Sequence, residues 1–151
     1  MQRLSKVMLA ITLGMTSALV IAKNRVETMR ETGDATTRLI DVTTENCLAN
    51  NPSTAGQLQC FTHAEESWGT ELNRVYQALQ QRLKPTGQDA LKQAQRTWLV
   101  QRDQEFALIN ALYAQLDGTK WLPVMASQRA DVVRSRTVML NAYLSSLDRD
   151  E

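Results

Sequence analysis

The chain has 151 residues, of which 43% are hydrophobic and 5% aromatic, and its formal net charge is +1. This length suffices for one small domain after an N-terminal apolar segment is set aside. A charge so close to zero, without a Gly-rich phosphate loop or a basic stripe with interleaved aromatic residues, argues against nucleotide and nucleic-acid binding.

The N-terminal segment, residues 1–22, has the features of a signal peptide. Arg3 and Lys6 precede an apolar run that ends at Ala22, and the small residues near its end suit signal peptidase. As a helix the run would extend roughly 24 Å, less than the hydrocarbon core of about 30 Å. We therefore expect cleavage after Ala22 and a periplasmic or secreted protein.

A retained membrane anchor is the alternative for this segment, because Lys23 and Arg25 add positive charge on the side to be exported. No cysteine lies near the cleavage point, so a lipid anchor is not expected. Removal of residues 1–22 takes away two of the 17 Lys and Arg and none of the 16 Asp and Glu, which leaves one more acidic than basic residue. Neither a polyanion nor an acidic membrane surface is then an obvious partner.

Residues 23–44 are polar and lack hydrophobic periodicity, which predicts a flexible tether. The folded domain is expected at 45–147, followed by an acidic tail at 148–151.

Cys47 and Cys60 are the two cysteines of the chain. In an exported protein such a pair indicates a disulfide, whereas two thiols would be expected in the cytosol. The link would hold a short N-terminal helical turn against the first long helix and contribute about 3 kcal/mol. Two unpaired buried thiols are the alternative.

The first long helix is predicted to begin near Ser53 and Thr54, which follow Pro52 as candidate N-caps, and to end at Lys84-Pro85. Between these points apolar residues recur every three or four positions. They are Leu58, Phe61, Trp68, Leu72, Val75, Tyr76, Leu79 and Leu83.

The second helix is predicted from a capping-box-like start at Thr86 to Asp89, and it ends near Leu116, before Gly118. Pro123 suits the first turn of a third helix. The apolar face of that helix contains Met125, Val132, Met139, Leu140, Tyr143 and Leu147. No strand pattern of useful length is present, so the chain is predicted to be all-α. The expected architecture is a small antiparallel bundle of three long helices, with the N-terminal turn tied by one disulfide.

Three charged residues lie inside the apolar stripes of three different helices. Arg102 falls within the stripe of the second helix, Glu65 within that of the first and Arg136 within that of the third. Buried charges need partners, and arginine pairs well with carboxylates and aromatic rings. We therefore predict a polar layer of these three residues, with Trp68 or Trp98 as a stacking surface and Asp103 as a second possible acid.

The layer is interpreted as a structural device that sets the alignment of the helices, with a binding or catalytic site as the alternative. Trp68, Trp98 and Tyr76 are interpreted as core residues, because aromatic side chains at helical spacing usually supply packing area.

Several separated motifs occur in one order along residues 43–145. They are Cys47 with Cys60, Leu72-Asn73-x-x-Tyr76, Gln95-Arg96-x-Trp98-x-x-x-Arg102-Asp103, and Arg136 with Leu140. In these residues the chain resembles the LprI-like lysozyme-inhibitor family of bacterial envelope proteins. The resemblance implies a small exported helical domain that binds and slows a lysozyme-type muramidase.

The chain departs from the family pattern in two places. Many relatives have an acidic residue where this chain has Gly69, and Glu65, one turn earlier, could substitute for it. Relatives also often carry a second disulfide, for which the matching positions here are Phe106 and about Gln128.

The sequence offers little for catalysis. His63 is the only histidine, so the two-histidine metal motif of a helix is absent, and no nucleophile with an adjacent base is evident. We expect a protein that is not an enzyme, without cofactor or metal, whose partner is another protein. A structural or adaptor module of the envelope is the alternative to a muramidase inhibitor, and membrane contact is expected only if the N-terminal segment is retained.

Overall fold

The computed structural model describes residues 35–147, in which every regular element is a helix. The helices are α1 at 35–50, α2 at Thr54–Arg82, α3 at Pro85–Tyr113 and α4 at Trp121–Leu147. The predicted all-α bundle of three long helices is confirmed. The predicted signal peptide, the first part of the predicted tether and the acidic tail lie outside the described residues.

Helix α2 begins as its sequence predicts. The Ser53 hydroxyl accepts a hydrogen bond from the backbone N–H of Gly56 at 3.1 Å, which satisfies one of the free N–H groups of the first turn. The helix ends at Arg82, and the N–H of the capping residue Leu83 still binds the Leu79 carbonyl although the Leu83 backbone is extended. Its buried side is a stripe at helical spacing that contains Cys60, Ala64, Trp68, Leu72, Val75 and Leu79.

The core forms mainly between α2 and α4. These two helices precede and follow α3 in the chain and run parallel to each other. Small residues of α4, Ala126 and Ala130, allow the two helices to approach closely, and Val133 and Leu140 fill the space between them. The Thr137 hydroxyl is fully buried at this contact, 2.9 Å from the Val133 carbonyl and 3.3 Å from the Trp68 carbonyl.

Helix α3 starts with Pro85 at its first position, and its N-cap Lys84 makes no side-chain hydrogen bond. The predicted capping box from Thr86 to Asp89 is therefore wrong, because the helix begins earlier and Pro supplies the favourable first-turn geometry instead. The turn is held by Gln88, whose amide donates to the Gln80 carbonyl at 2.8 Å and to the Leu83 carbonyl at 2.9 Å.

Away from this turn, α3 diverges from α2 and packs mainly against α4. It contributes only Leu91 and Ile109 to the buried residues. Gly118, in the turn to α4, has a φ of +92°, a conformation that favours glycine. Tyr113 and Trp121 lie on the two sides of this turn with ring centroids 6.0 Å apart. Helix α4 begins at Trp121, which places Pro123 in its first turn as predicted.

The N-terminal element is longer than predicted, since residues 35–44 are helical rather than part of a flexible tether. Ile40 packs against the core, and Asp41 binds the Arg134 guanidinium through two hydrogen bonds of 3.0 and 2.8 Å. These hydrogen bonds to the Asp41 carboxylate raise the pKa of Arg134 above its ordinary value. Most side chains of α1 are exposed, so its sequence shows little hydrophobic periodicity. The helix is therefore stabilised by tertiary contacts.

The disulfide between Cys47 and Cys60 is confirmed, and it joins α1 to α2 with a Cα–Cα distance of 5.7 Å. In the part of the chain that the structure describes, none of the helices has the length and apolar character needed to span a bilayer.

Candidate functional site

The divergence of α3 from α2 opens a groove of about 680 Å³ between them, with Val133 of α4 at its floor. Although a short turn joins these two helices, they make few contacts with each other. Helix α4 occupies the apolar side of α2 that a close α2–α3 hairpin would have covered. We call this space the α2–α3 groove.

The α3 wall of the groove combines aromatic and cationic side chains. Trp98 and Phe106 are partly exposed there, and the guanidinium of Arg102 lies between them, 5.6 Å from the Trp98 centroid and 5.8 Å from that of Phe106. Lys92 and Arg96 line the same wall closer to the Pro85 turn. Such a wall offers flat apolar surface and hydrogen-bond donors to a bound group.

The α2 wall is acidic at one end and rich in amides at the other. Glu65 and Glu66 lie near the start of the groove, whereas Asn73, Tyr76 and Gln77 follow toward the turn. Between the two ends is Gly69, where an added Cβ would meet no atom within 4 Å. The groove therefore has open space at its centre, at the position where family relatives are expected to carry an acidic side chain.

Arg102 binds its sequence neighbour rather than a residue of another helix. Its Nε and Nη2 donate to Asp103 Oδ1 at 2.9 and 2.6 Å, and the Arg102 side chain keeps 31% of its surface exposed. It is thus presented at the groove, and the prediction of a buried interhelical arginine at this position is wrong.

Glu65 also has a different partner from the one predicted. Both carboxylate oxygens accept hydrogen bonds of 3.1 Å from Arg129 of α4, and the Arg129 guanidinium lies 4.2 Å from the Phe106 ring centroid. Arg129 therefore connects α2, α4 and α3 at one level.

Arg136 is buried as predicted, but neither Glu65 nor Arg102 is its partner. Its Nε donates to Gln95 Oε1 at 3.1 Å, and its guanidinium lies 5.8 Å from the Trp98 centroid. The polar layer of Glu65, Arg102 and Arg136 is therefore absent from residues 35–147. Because α3 diverges from α2, the three charged side chains bind three different partners at separate places in the bundle.

The motif residues nevertheless converge in space. The groove is lined by the residues of both central motifs except Asp103, which binds Arg102. The lining residues from those motifs are Leu72, Asn73, Tyr76, Gln95, Arg96, Trp98 and Arg102. Trp68 is a core residue as predicted, with 2% of its surface exposed, but Trp98 and Tyr76 are only partly buried because they face the groove.

Sequence analysis missed Arg129, although a signal was present. It shares one helical face with Val133, Arg136 and Leu140, at spacings of three and four residues, and the stripe that identified Arg136 also includes it. Lys92 and Gln77 also line the groove, but nothing in the sequence pattern distinguishes them from other exposed polar residues.

His63 is exposed, and its Nδ1 lies 3.9 Å from Glu66 Oε2. Among residues 35–147, no three His, Cys, Asp or Glu side chains are grouped so that they could hold a metal ion.

Comparison with known proteins yields a family and a solved structure. A family model described as lysozyme inhibitor LprI matches residues 45–140. The crystal structure of an uncharacterized protein from Burkholderia thailandensis is similar, with 32% sequence identity, a TM-score of 0.68, and coverage of 73% of this chain and 55% of that chain. The chain thus spans about half the length of the solved chain that it matches. No curated protein matches it.

Proposed function

Because the chain belongs to the LprI lysozyme inhibitor family, we propose that it binds a lysozyme-type muramidase through the α2–α3 groove and thereby slows it. The observation that carries this proposal is the convergence of the two central motifs on one open groove. The family match covers every residue of that groove, from Glu65 to Val133.

The composition of the groove supports a protein partner. Trp, Tyr and Arg dominate the energetics of protein–protein contacts, especially where they are half-buried before binding and become fully covered by the partner. Trp98, Tyr76 and Arg102 have these properties. Arg102 is also held between two aromatic rings, so that little side-chain freedom is lost when a partner covers it.

The charges of the groove favour local complementarity over long-range attraction. Glu66 on α2 offers an exposed carboxylate to a cationic enzyme, while Lys92 and Arg96 on α3 offset its charge in the net field. We therefore expect binding to weaken only modestly with salt, because exposed charges of both signs give little diffusional steering.

We also propose that the protein acts outside the cytoplasm, in the periplasm or after secretion, with residues 1–22 as its export signal. The Cys47–Cys60 disulfide supports this compartment, since disulfides persist where the environment is oxidising. In this proposal the protein binds its target without catalysis of its own.

A turbidity assay tests the proposal. The purified protein, with a heat-denatured sample as control, is added to a cell-wall suspension together with a c-type lysozyme or a bacterial muramidase. We expect clearing to slow as the protein concentration rises. No slowing of either enzyme at a large molar excess would contradict the proposal.

Gly69 provides a matched pair of variants for the same assay. Gly69→Trp should fill the centre of the groove and reduce inhibition at least tenfold, because a Cβ there has open space and the backbone is an ordinary helix. Gly69→Ala should inhibit as the parent does and be slightly more stable, by up to about 1 kcal/mol. Equal inhibition by both variants would show that the groove is not the contact surface.

An envelope adaptor is a second candidate function, and a different surface favours it. The outer side of α3 exposes Val100, Leu108 and Leu112 at 58%, 59% and 49% of their surface. Leu108 and Leu112 are one helical turn apart, and a contiguous exposed apolar patch is typical of a protein contact. The adaptor would be supported if the protein captured an envelope protein and did not slow a muramidase. In that case Leu108→Lys should abolish capture and Gly69→Trp should leave it intact.

A further inference from the structure

A second cavity, of about 430 Å³, lies beside the Pro85 turn, between the start of α3 and the last turns of α4. It shares no lining residue with the α2–α3 groove. Its lining is mainly aliphatic, with leucines contributed by all three long helices: Leu79, Leu83, Leu91, Leu140 and Leu147. We call it the leucine cavity.

One charged residue lines the leucine cavity, and its electrostatic environment is unusual. Arg136 has only 8% of its surface exposed, and its Nη2 atom has no hydrogen-bond acceptor among residues 35–147. Its single hydrogen bond to a side chain goes to the neutral Gln95, and no carboxylate of the described residues forms an ion pair with it. Burial lowers the pKa of the Arg136 guanidinium, and the nearby Tyr143 offsets this in part.

A buried cation without an anion is costly, and the cost falls when a carboxylate supplies both charge and hydrogen-bond acceptors. The rest of the leucine cavity offers the opposite chemistry, since aliphatic walls gain free energy from covering an alkyl chain. A ligand that satisfies both parts has an anionic head and an apolar body.

We propose that the leucine cavity binds a single-chain amphiphile with a carboxylate head, such as a medium-chain fatty acid, with the carboxylate on Arg136 and the alkyl chain among the leucines. The volume favours one chain, because about 430 Å³ lies near the small end of ligand sites, which range over about 300–1,000 Å³. Tyr143 lines the cavity with 53% of its surface exposed, so its ring can move to admit the head group.

The two parts of the ligand are tested separately by calorimetric titration of the purified protein with decanoate and with decanol, which has the same chain length and no charge. We expect decanoate to bind at least tenfold more tightly than decanol. Equal affinity for the two, or no heat of binding with decanoate, would overturn the proposal.

Two variants locate the site. Arg136→Gln should remove the preference for decanoate, with its fold checked by circular dichroism because the residue is buried. Ala94→Phe is the second test, since Ala94 is exposed on α3 and lines the cavity, so the larger ring should fill the space without disturbing the core. It should abolish binding of both ligands.

Ala107→Phe is the matched control. Ala107 is also exposed on the same helix but lines neither the leucine cavity nor the α2–α3 groove. It should bind decanoate as the parent does, and undiminished binding by Ala94→Phe would place the ligand elsewhere and overturn the proposal. None of these measurements involves a muramidase, so they are independent of the proposed inhibition.

Discussion

Helices α2 and α3 have the same length, 29 residues, and similar apolar periodicity, but they hold different places in the molecule. The apolar side of α2 is buried against α4, where Trp68, Val75 and Leu79 have at most 2% of their surface exposed. Helix α3 buries only Leu91 and Ile109. One amphipathic helix thus builds the core, and the other forms one wall of a groove.

Because of this difference, we expect α2 and α4 to determine the stability of the fold and α3 to supply surface for binding. Residues of α2 and α4 lie where changes in volume leave cavities that the close packing cannot fill. Residues of α3 lie where side chains remain available to a partner or a ligand, and both proposed sites use α3 as a wall. Substitutions of buried residues in α2 should therefore change the free energy of unfolding, whereas substitutions in α3 should change binding.

The largest expected effect is on the stability of the α2–α4 pair. Leu79→Ala should lower the free energy of unfolding by about 2–5 kcal/mol, because the side chain is 2% exposed and its removal leaves a cavity. The matched change Leu108→Ala on α3, at 59% exposure, should alter it by no more than about 0.5 kcal/mol. Urea unfolding followed by circular dichroism measures both, and similar losses would contradict the division between the helices.

A smaller effect is expected from the link between α1 and α2. Replacing Cys47 and Cys60 by Ser should lower the free energy of unfolding by about 3 kcal/mol, since the disulfide closes a short loop with a sequence separation of 13. Hydrogen exchange should show loss of protection in α1 but not in α3. In the parent protein, thiol labelling after denaturation without reductant should find no free cysteine.

If labelling detected two thiols, both the disulfide and the export argument built on it would be wrong. If α3 lost protection together with α1, the two helices would belong to one cooperative unit, which the packing does not predict.

Much of the fold follows from local pattern. Spacing of apolar residues places the three long helices. Ser53 and Pro85 mark the starts of α2 and α3, and Gly118 marks the turn between α3 and α4. The helix at 35–50 could not be found this way, because the disulfide, Ile40 and the pair of Asp41 with Arg134 stabilise it through residues distant in sequence.

The candidate site was predictable in its residues but not in its contacts. A stripe identifies which face of a helix is apolar, but it does not say which of two neighbouring helices will cover that face. Here α4 covers α2, so Trp98 and Tyr76 line a groove instead of the core. The partners of charged residues also depend on which helices pack together: because α4 covers α2, Arg129 of α4 rather than Arg102 of α3 binds Glu65.

Smaller effects on stability are expected when either of two arginines near Phe106, Arg102 or Arg129, is replaced. Arg102→Ala should lower the free energy of unfolding by less than about 1 kcal/mol, because its ion pair with Asp103 is exposed and local. Arg129→Ala should cost about 2 kcal/mol, since it removes two charged hydrogen bonds of a part-buried pair and a contact with Phe106. In the turbidity assay we expect the order to reverse, with Arg102→Ala the weaker inhibitor, because Arg102 faces the groove between two aromatic rings. A large loss of stability in Arg102→Ala would instead assign this residue to helix alignment and remove it from the contact surface.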